Sequence, residues 1–428
     1  MRARALAIPA VALLLTASAP YVQQGDKLVG SGGNLANQGA VALSADGNTL
    51  ILGGPDDHSS AGGAAWIFVR NGKTWSQQGE KLVGSPSNGA DQGRSVGISA
   101  DGNTVISGGW GDEANTGAAW IFTRSGESWS QQGPKLVGTG GTANGHQGWS
   151  VAISGDGNTA LVGANTDDGG AGAAWVFTRS GFLWSQQGGK LTGPGAAGPA
   201  HFGNAVALSA DGDTAIVGGV ADASNAGAAW VFTRSGSVWS PQGPRLVGTG
   251  AVGAARQGAS VAIASDGNTV LVGGLADASG AGAAWVFTRS GGAWSQQGNK
   301  LVGTGAVGAA GQGSAVGLSG NGNVAIVGGD QDDVGSGAVW VFARSGGAWS
   351  PLGGKLTATG AVNAAAQGAT AAISGNASTI AIGGPNDATS GNYAVGAAWV
   401  FARVCGPSGR RPCIIPAVPP PAGRVERP

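Results

Sequence analysis

The chain has 428 residues, including 85 glycines and 15 tryptophans, and its 23 basic side chains balance 23 acidic ones. Glycine at this frequency without a Gly-X-Y period excludes collagen, the ordinary hydrophobic content excludes a disordered chain, and the lack of a basic stripe argues against a nucleic-acid partner. Many short strands joined by glycine-containing turns are the remaining interpretation.

Residues 1–19 have the pattern of a signal peptide. Arg2 and Arg4 precede an apolar run from Ala5 to Leu15, and the small residues Ala17-Ser18-Ala19 follow. The run is too short for a permanent membrane-spanning helix. We therefore expect export to an extracellular or periplasmic location, with no membrane span in the mature chain; Pro20 leaves the cleavage position open.

A repeat with a period near 55 residues occupies most of the chain. One tryptophan recurs in seven copies, at Trp66, Trp120, Trp175, Trp230, Trp285, Trp340 and Trp399. A second tryptophan follows nine residues later in six of them, at Trp75, Trp129, Trp184, Trp239, Trp294 and Trp349. Self-similarity of this kind is typical of solenoids and propellers.

Each copy contains four apolar runs of strand length. In the fifth copy they are Ser260–Ala264, Thr269–Gly273, Ala283–Thr288 and Trp294–Val302. Asp-Gly-Asn and Ser-Gly-Gly turns join the first pair and the last pair, as in tight hairpins, and the other connections are longer. Four antiparallel strands per repeat indicate the blade of a β-propeller.

The chain termini indicate how the ring closes. The fourth-strand pattern Trp-Ser-Gln-Gln-Gly-x-Lys-Leu is missing after the seventh copy and is replaced by Tyr21 to Leu28 at the other terminus. We therefore predict an all-β, seven-bladed propeller over residues 20–404, closed by the N-terminal strand completing the last blade. Closure would remove the sheet edges that an open array leaves exposed.

Residues 405–428 are predicted to form a Cys-containing, Pro-rich tail. Cys405 and Cys413 are the two cysteines of the chain, and a local disulfide is their expected use in an oxidising compartment. They lack a neighbouring histidine, so they make a poor zinc site.

The repeat resembles the FG-GAP family, found in the N-terminal propeller of integrin alpha subunits. Its closest copy begins Phe202-Gly203, and Gly53-Gly54-Pro55 stands where Gly-Ala-Pro is expected. Six copies carry Gln-Gly in place of Phe-Gly, as at Gln147-Gly148. The resemblance implies a propeller that docks an extracellular protein or glycan on one face.

The resemblance also raises the question of calcium. Calcium-binding members hold the ion in an Asp-rich loop between the first two strands, whereas this chain has only the short turn Asp46-Gly47-Asn48 and its equivalents. Calcium needs six to eight oxygen ligands, more than such a turn supplies. We therefore predict no metal and no cofactor.

The thirteen repeated tryptophans are predicted to be core residues, because both faces of a strand are apolar when its blade is sandwiched between two neighbours; sugar stacking is the alternative. Trp110 and Trp149 lie outside the repeat, in loops, and are better placed for ligand contact. An arginine ends each third strand, for example Arg70, and we expect it to be solvated or paired with the Asp of the other tight turn.

The three histidines His58, His146 and His201 lie in longer loops and share no metal-ligand spacing. With neither a Ser-His-Asp nor a Cys-His pattern, the sequence predicts no catalytic residues and a protein that is not an enzyme. Clustering of Trp110, Trp149, His146 and His201 on one patch would favour ligand binding, and dispersal would favour a structural role.

An aspartate recurs every 55 residues, three positions after the second strand ends. The seven are Asp57, Asp112, Asp167, Asp222, Asp277, Asp332 and Asp387. The longer loops lie on one face of a propeller, so these residues should form a ring there. Each either hydrogen-bonds amides of its own loop or marks a separate weak binding site.

Two classes of function therefore remain, with a third weaker one. The first is a non-catalytic binding module for extracellular protein or glycan, and the second is a structural or surface-display repeat protein without a specific ligand. The third is an extracellular enzyme whose catalytic groups are assembled from loops.

Overall fold

The computed structural model describes residues 20–58, 62–388, 394–405 and 411–412. Seven antiparallel sheets, each with four main strands, form a ring in which the first strands of neighbouring blades pack against one another around a central channel. The predicted all-β, seven-bladed propeller is confirmed. The signal peptide expected at residues 1–19 and the tail from Cys413 onward lie outside the described residues.

The strands are numbered in chain order, and each blade uses them in sequence. The inner, first strands are β2 (Ala40–Leu43), β6 (Ser95–Ile98), β10 (Ser150–Ile153), β14 (Phe202–Leu208), β18 (Ser260–Ile263), β22 (Ala315–Leu318) and β26 (Thr370–Ile373). The second strands are β3 (Thr49–Gly54), β7 (Thr104–Gly109), β11 (Thr159–Ala164), β15 (Thr214–Gly219), β19 (Thr269–Gly274), β23 (Val324–Gly329) and β27 (Thr379–Gly384).

The outer half of each blade is built in the same way. The third strands are β4 (Ala64–Asn71), β8 (Ala118–Ser125), β12 (Ala173–Ser180), β16 (Ala228–Ser235), β20 (Ala283–Ser290), β24 (Ala338–Ser345) and β28 (Ala397–Cys405). The fourth strands are β5 (Thr74–Gln77), β9 (Ser128–Gln131), β13 (Leu183–Gln186), β17 (Val238–Pro241), β21 (Ala293–Gln296), β25 (Ala348–Pro351) and β1 (Tyr21–Gln23). Blade 1 is β2–β5, the next five blades follow in order, and blade 7 is β26–β28 with β1.

The closing strand lies where the sequence predicts it. Tyr21 pairs with Arg403 and Gln23 with Phe401, both antiparallel. The buried Tyr21 hydroxyl also donates a hydrogen bond of 2.7 Å to the carbonyl of Ala377. Beyond this pairing, the end of β28 pairs with the two-residue strand β29 (Arg411–Pro412).

The fourth strands are shorter than predicted. In blade 5 the expected strand Trp294–Val302 stops at Gln296, and only the isolated bridge between Leu301 and Ala284 resumes the pairing. Gly298 interrupts the strand with a left-handed φ of +74°, a conformation that glycine adopts at little cost. The turn that results brings Lys300 to the loop face, where it pairs with Asp277.

The core lies between the blades. The seven repeated tryptophans are at most 3 % exposed, and each belongs to a cluster that combines residues of two adjacent blades. The glycines that end the second strands permit this approach, since a Cβ on Gly108 would lie 2.2 Å from the Gly148 carbonyl oxygen of the next blade. Repetition of small and large residues therefore sets the spacing between blades.

Five of the connections between second and third strands contain a helical turn of four residues. They are α1 (Asp112–Asn115), α2 (Asp167–Gly170), α3 (Asp222–Asn225), α4 (Asp277–Gly280) and α5 (Asp332–Gly335). The two middle residues of each turn have positive φ, for example Asp333 and Val334 in α5. These turns place the recurring aspartate at the start of each loop.

Candidate ligand-binding site at the channel mouth

Seven residues line the channel where the first strands begin, on the face that carries the longer loops. Each directly follows the Gln-Gly or Phe-Gly pair of its repeat, and together they form what we call the mouth ring. The mouth ring consists of Ala40, Arg94, Trp149, Asn204, Ala259, Ser314 and Ala369, and it borders a cavity of about 320 Å³. Three members are alanine, whereas blades 2 and 3 contribute an arginine and a tryptophan.

The Gln-Gly pair holds the ring in place. The buried Gln92 amide accepts a hydrogen bond from the backbone N–H of Gly84 and donates one to the carbonyl of the same residue. Five further glutamines make the equivalent pair of bonds, so each ties its first strand to the connection that precedes it. In blade 4 the aromatic ring of Phe202 fills this position and packs edge-on against Trp230. An amide with both bonds satisfied therefore replaces the family's phenylalanine without leaving a buried polar group unpaired.

Three residues that depart from the repeat meet beside the channel. Trp110 packs edge-on against His146, with ring centroids 4.7 Å apart, and against Trp149 at 6.0 Å. The rings of His146 and Trp149 stack at 6.2 Å with an interplanar angle of 21°. Trp110 comes from the β7–α1 connection of blade 2, and the other two come from the start of blade 3, so the cluster spans a blade boundary.

Arg94 completes this group, which we call the aromatic cluster. Its guanidinium carbon lies 4.6 Å from the ring centroid of Trp149, close enough for a cation–π interaction. Arg94 is exposed to solvent at the channel. Desolvation lowers the pKa of its guanidinium, an effect that the charge of Asp56 opposes.

Two carboxylates lie beside the cluster. Asp91 belongs to the connection before β6, and desolvation together with the charge of Asp56 raises the pKa of its carboxyl. Asp56 accepts a hydrogen bond from the Asn37 amide. The site therefore combines aromatic surfaces with one guanidinium and two carboxylates, a mixture suited to a ligand that has both apolar and hydrogen-bonding groups.

His146 is constrained by its packing. Desolvation lowers its pKa below the usual value of 6.5, and its buried Nδ1 has no hydrogen-bond partner within the described part of the chain. Its backbone has a left-handed φ of +60°. The imidazole contacts both indoles and contributes packing surface to the cluster.

His201 does not join the aromatic cluster. It occupies the position equivalent to His146 one blade further on, where a Cβ on Gly170 would lie 3.3 Å from its ring. No ring contact among the described residues connects it to Trp110 or Trp149. Three of the four departures from the repeat therefore come together, and the fourth lies apart.

All seven recurring aspartates are buried, at most 2 % exposed. In each, Oδ1 accepts a backbone N–H bond of 2.6–2.9 Å from the connection that precedes the first strand of the same blade. Each also pairs with a cation that follows the fourth strand. The cations, in blade order, are Lys81, Lys135, Lys190, Arg245, Lys300, Lys355 and Lys27.

These contacts differ from the sequence prediction in one respect. The aspartates bond to the preceding connection and to a lysine, whereas we expected amides of their own loop. Asp222 has the arginine variant of the pair, with Arg245 Nε 3.2 Å from its Oδ2. The geometry supports a loop-fixing role for the ring; ligand binding by it remains an untested proposal.

Six of the seven arginines that end the third strands are held in place on the opposite face, each over the tryptophan of the fourth strand. Arg289 lies 5.4 Å from the ring centroid of Trp294 and donates to the Asn268 side chain and to Gln242. The expected pairing with the Asp that begins the tight turn is wrong, because the partner is the third turn residue. In blade 4 that third residue is also an aspartate, and Arg234 forms an ion pair with Asp213. The residue that begins the turn is already engaged: Asp46 accepts bonds from the Ser44 hydroxyl and the Asn48 amide.

Among the described residues, no group of three or more His, Cys, Asp or Glu side chains is arranged to hold a metal ion. Likewise, none of the described helices has the length and apolar character needed to cross a membrane.

Fold and site together define a seven-bladed propeller with one irregular, aromatic sector at its channel mouth. The FG-GAP repeat family matches the chain at residues 129–177 and 184–232. Each matched segment begins with the fourth strand of one blade and contains the first three strands of the next. The chain therefore carries FG-GAP repeats, as the resemblance indicated, and its ring agrees with an integrin-alpha-like propeller. No curated protein matches the chain significantly.

Sequence reasoning missed Arg94, Asp56 and Asp91. Arg94 could have been found by the same comparison that identified Trp149, because both stand where other copies have alanine, asparagine or serine. A single arginine attracts little notice in a sequence. Its position over an indole appears only when the two blades are placed side by side.

Proposed function

We propose that this protein is an extracellular, non-catalytic binding module that takes a protein or glycan ligand at the channel mouth. The aromatic cluster of Arg94, Trp110, His146 and Trp149 would form the site. One observation carries the proposal: three residues that break the repeat contact one another across a blade boundary. Propellers of this repeat family are typically non-catalytic, which agrees with a binding role.

The surface of the aromatic cluster is suited to ligand contact. Indole and imidazole rings offer rigid area with little conformational entropy to lose, and Arg94 adds several N–H donors. Both tryptophans are half-buried, so part of each remains accessible. The adjoining cavity of about 320 Å³ lies near the lower end of the size range of small-ligand pockets, 300–1,000 Å³.

The test is a binding screen of the purified mature chain against glycans and secreted proteins, followed by variants taken from the repeat itself. Trp149→Ala installs the residue of three other blades, and Trp110→Val installs the residue found at Val220. These changes should leave folding intact, and each should lower the affinity for the ligand found in the screen by about tenfold or more. Ser314→Ala, at the same ring position in blade 6, is the matched control. Unchanged affinity in both tryptophan variants would contradict the proposal.

Extracellular localisation is part of this proposal and rests on the pattern of residues 1–19. Intact-mass analysis of the exported protein should show that about 19 residues have been removed. Retention of the complete N-terminus in an exported chain would argue against a cleaved signal peptide.

A further inference from the structure

The junction between blade 7 and blade 1 contains an open groove of about 890 Å³, which we call the closure groove. It is lined by β1, the end of β28 and the tight turn of blade 1, including Val22, Asn71, Lys73 and Arg403. Its lining carries three cationic side chains, Arg70, Lys73 and Arg403, and no Asp or Glu. The groove lies on the face opposite the mouth ring, since the tight turns are there.

Arg403 is the arginine that ends the third strand of blade 7, and its surroundings differ from those of the six equivalent arginines. In blade 6 the equivalent arginine, Arg344, stacks on Trp349 at 5.4 Å and donates to Asn323 and Gln297. Around Arg403 all three partner positions are changed. The tryptophan is Tyr21, the asparagine is Ser378, and the glutamine is Leu352.

These changes leave the Arg403 side chain with no hydrogen bond or ion pair to any residue that the structure describes. Tyr21 pairs with Arg403 through the backbone, and its hydroxyl is directed to Ala377. Leu352 packs against the same core cluster as Tyr21, so an apolar contact has replaced the amide. Closure of the ring thus releases one guanidinium that the repeat elsewhere holds in place.

Lys73 supplies a second free cation from the facing blade. It stands in the tight turn where the other blades have Glu127, Phe182, Ser237, Gly292 and Gly347. Its ammonium is exposed and has no partner among the described side chains. Arg70, the third cation of the groove, by contrast donates hydrogen bonds to Asn48 and to the Thr379 hydroxyl.

The geometry points to the closure groove as a binding site for an acidic oligosaccharide, one that carries sulfate or carboxylate groups. Guanidinium and ammonium groups without internal partners provide charge-assisted hydrogen bonds to such oxyanions. The exposed Asn71 amide, which has no side-chain hydrogen bond to the described residues, can both donate to and accept from sugar hydroxyls. An acidic peptide fits less well, because the adjacent strand β1 has only three residues and offers few main-chain bonds for strand addition.

Isothermal titration of the full chain tests this site. The probes are a sulfated hexasaccharide, an oligogalacturonate, the desulfated hexasaccharide, hexaglutamate and inorganic sulfate. We expect at least one acidic saccharide to bind. Arg403→Gln and Lys73→Gln should each lower the affinity for that saccharide by about tenfold. Arg256→Gln, which removes the same charge from an exposed residue on the loop face, should have no effect.

Several results would overturn the inference. They are binding by neither acidic saccharide, equal affinity of the desulfated form, equal or tighter binding of hexaglutamate or inorganic sulfate, or unchanged affinity in both cation variants. Trp149→Ala should bind these saccharides as the wild type does. A failure of the channel-mouth proposal is therefore distinguishable from a failure of this one.

Discussion

Two sets of residues lie at the loop face of the propeller, and their repetition differs. The loop aspartates are identical in all seven blades, fully buried, and paired with a cation and a backbone N–H. The mouth ring varies from alanine to arginine and tryptophan, and its members retain access to the channel. Within one chain, positions that every copy shares therefore support the fold, while accessible positions that differ are free to acquire a ligand.

The sharpest test of this comparison sets one tryptophan against another. Trp285 is fully buried and its Nε1 donates to the Thr249 carbonyl, so Trp285→Ala should lower the free energy of unfolding by about 3–5 kcal/mol. Trp149→Ala should lower the free energy of unfolding by less than about 1 kcal/mol, because alanine already occupies this position in three blades. Thermal and denaturant unfolding measure both. Similar losses of unfolding free energy in the two variants would refute the distinction between shared, structural positions and variable, accessible ones.

A smaller effect is expected at the aspartate ring. Asp277→Ala removes a buried carboxylate and leaves Lys300 without its ion-pair partner. The substitution should lower the free energy of unfolding by about 3 kcal/mol. Asp333→Ala is the matched control, since it changes an exposed aspartate to the residue found at Ala278, which has the same left-handed φ of about +50°. If Asp277→Ala is as stable as this control but loses a ligand, the ring has a binding role after all.

Departure from the repeat does not always imply function, and Val334 illustrates this. It is 91 % exposed and has a φ of +58°, where a β-branched residue is strained; Ala114, Gly169, Ser224 and Ser279 occupy the position elsewhere. Val334→Asn should raise the free energy of unfolding by about 0.5–1 kcal/mol, since asparagine tolerates this conformation. A raised thermal midpoint with unchanged ligand binding is the expected result, and a lowered midpoint would contradict it.

The smallest predicted effect concerns pH at the aromatic cluster. Desolvation lowers the pKa of His146, so the unfolded chain binds a proton more readily than the folded one as the pH falls through about 6.5. Stability should therefore decline on acidification. In His146→Ala, which installs the residue found at Ala366, the decline between pH 7.5 and 5.5 should be shallower. Identical pH profiles for the two proteins would show that the packing of His146 does not affect its titration.

Much of the fold could be predicted because the same pattern of strands and turns occurs in seven copies. Alternating apolar runs and Asp-Gly-Asn turns defined the hairpins, and the displaced Tyr21-to-Leu28 segment indicated the closure. The fourth strand was predicted too long, because the apolar Leu301 and Val302 obscured the left-handed turn at Gly298. Local pattern could not show that this turn carries Lys300 to Asp277.

The candidate site was only partly predictable. Trp110, His146 and Trp149 were selected as irregular residues, whereas Arg94, which is irregular by the same comparison as Trp149, was not. His201, chosen on the same grounds as His146, lies outside the cluster. A histidine just before the Gln-Gly or Phe-Gly pair joins such a cluster only if the facing loop of the preceding blade presents an aromatic ring to it, as Trp110 does to His146.

The sequence by itself determined the number of blades, their strands, the closing strand and the burial of the seven tryptophans, because each follows from periodicity and local chemistry. Only the tertiary structure decided which loops meet across a blade boundary, which lysine or arginine pairs with each aspartate, and which arginine has no side-chain partner among the described residues. Such contacts depend on the offset between neighbouring blades and on the closing of the ring. Neither is encoded in the spacing of residues within one repeat.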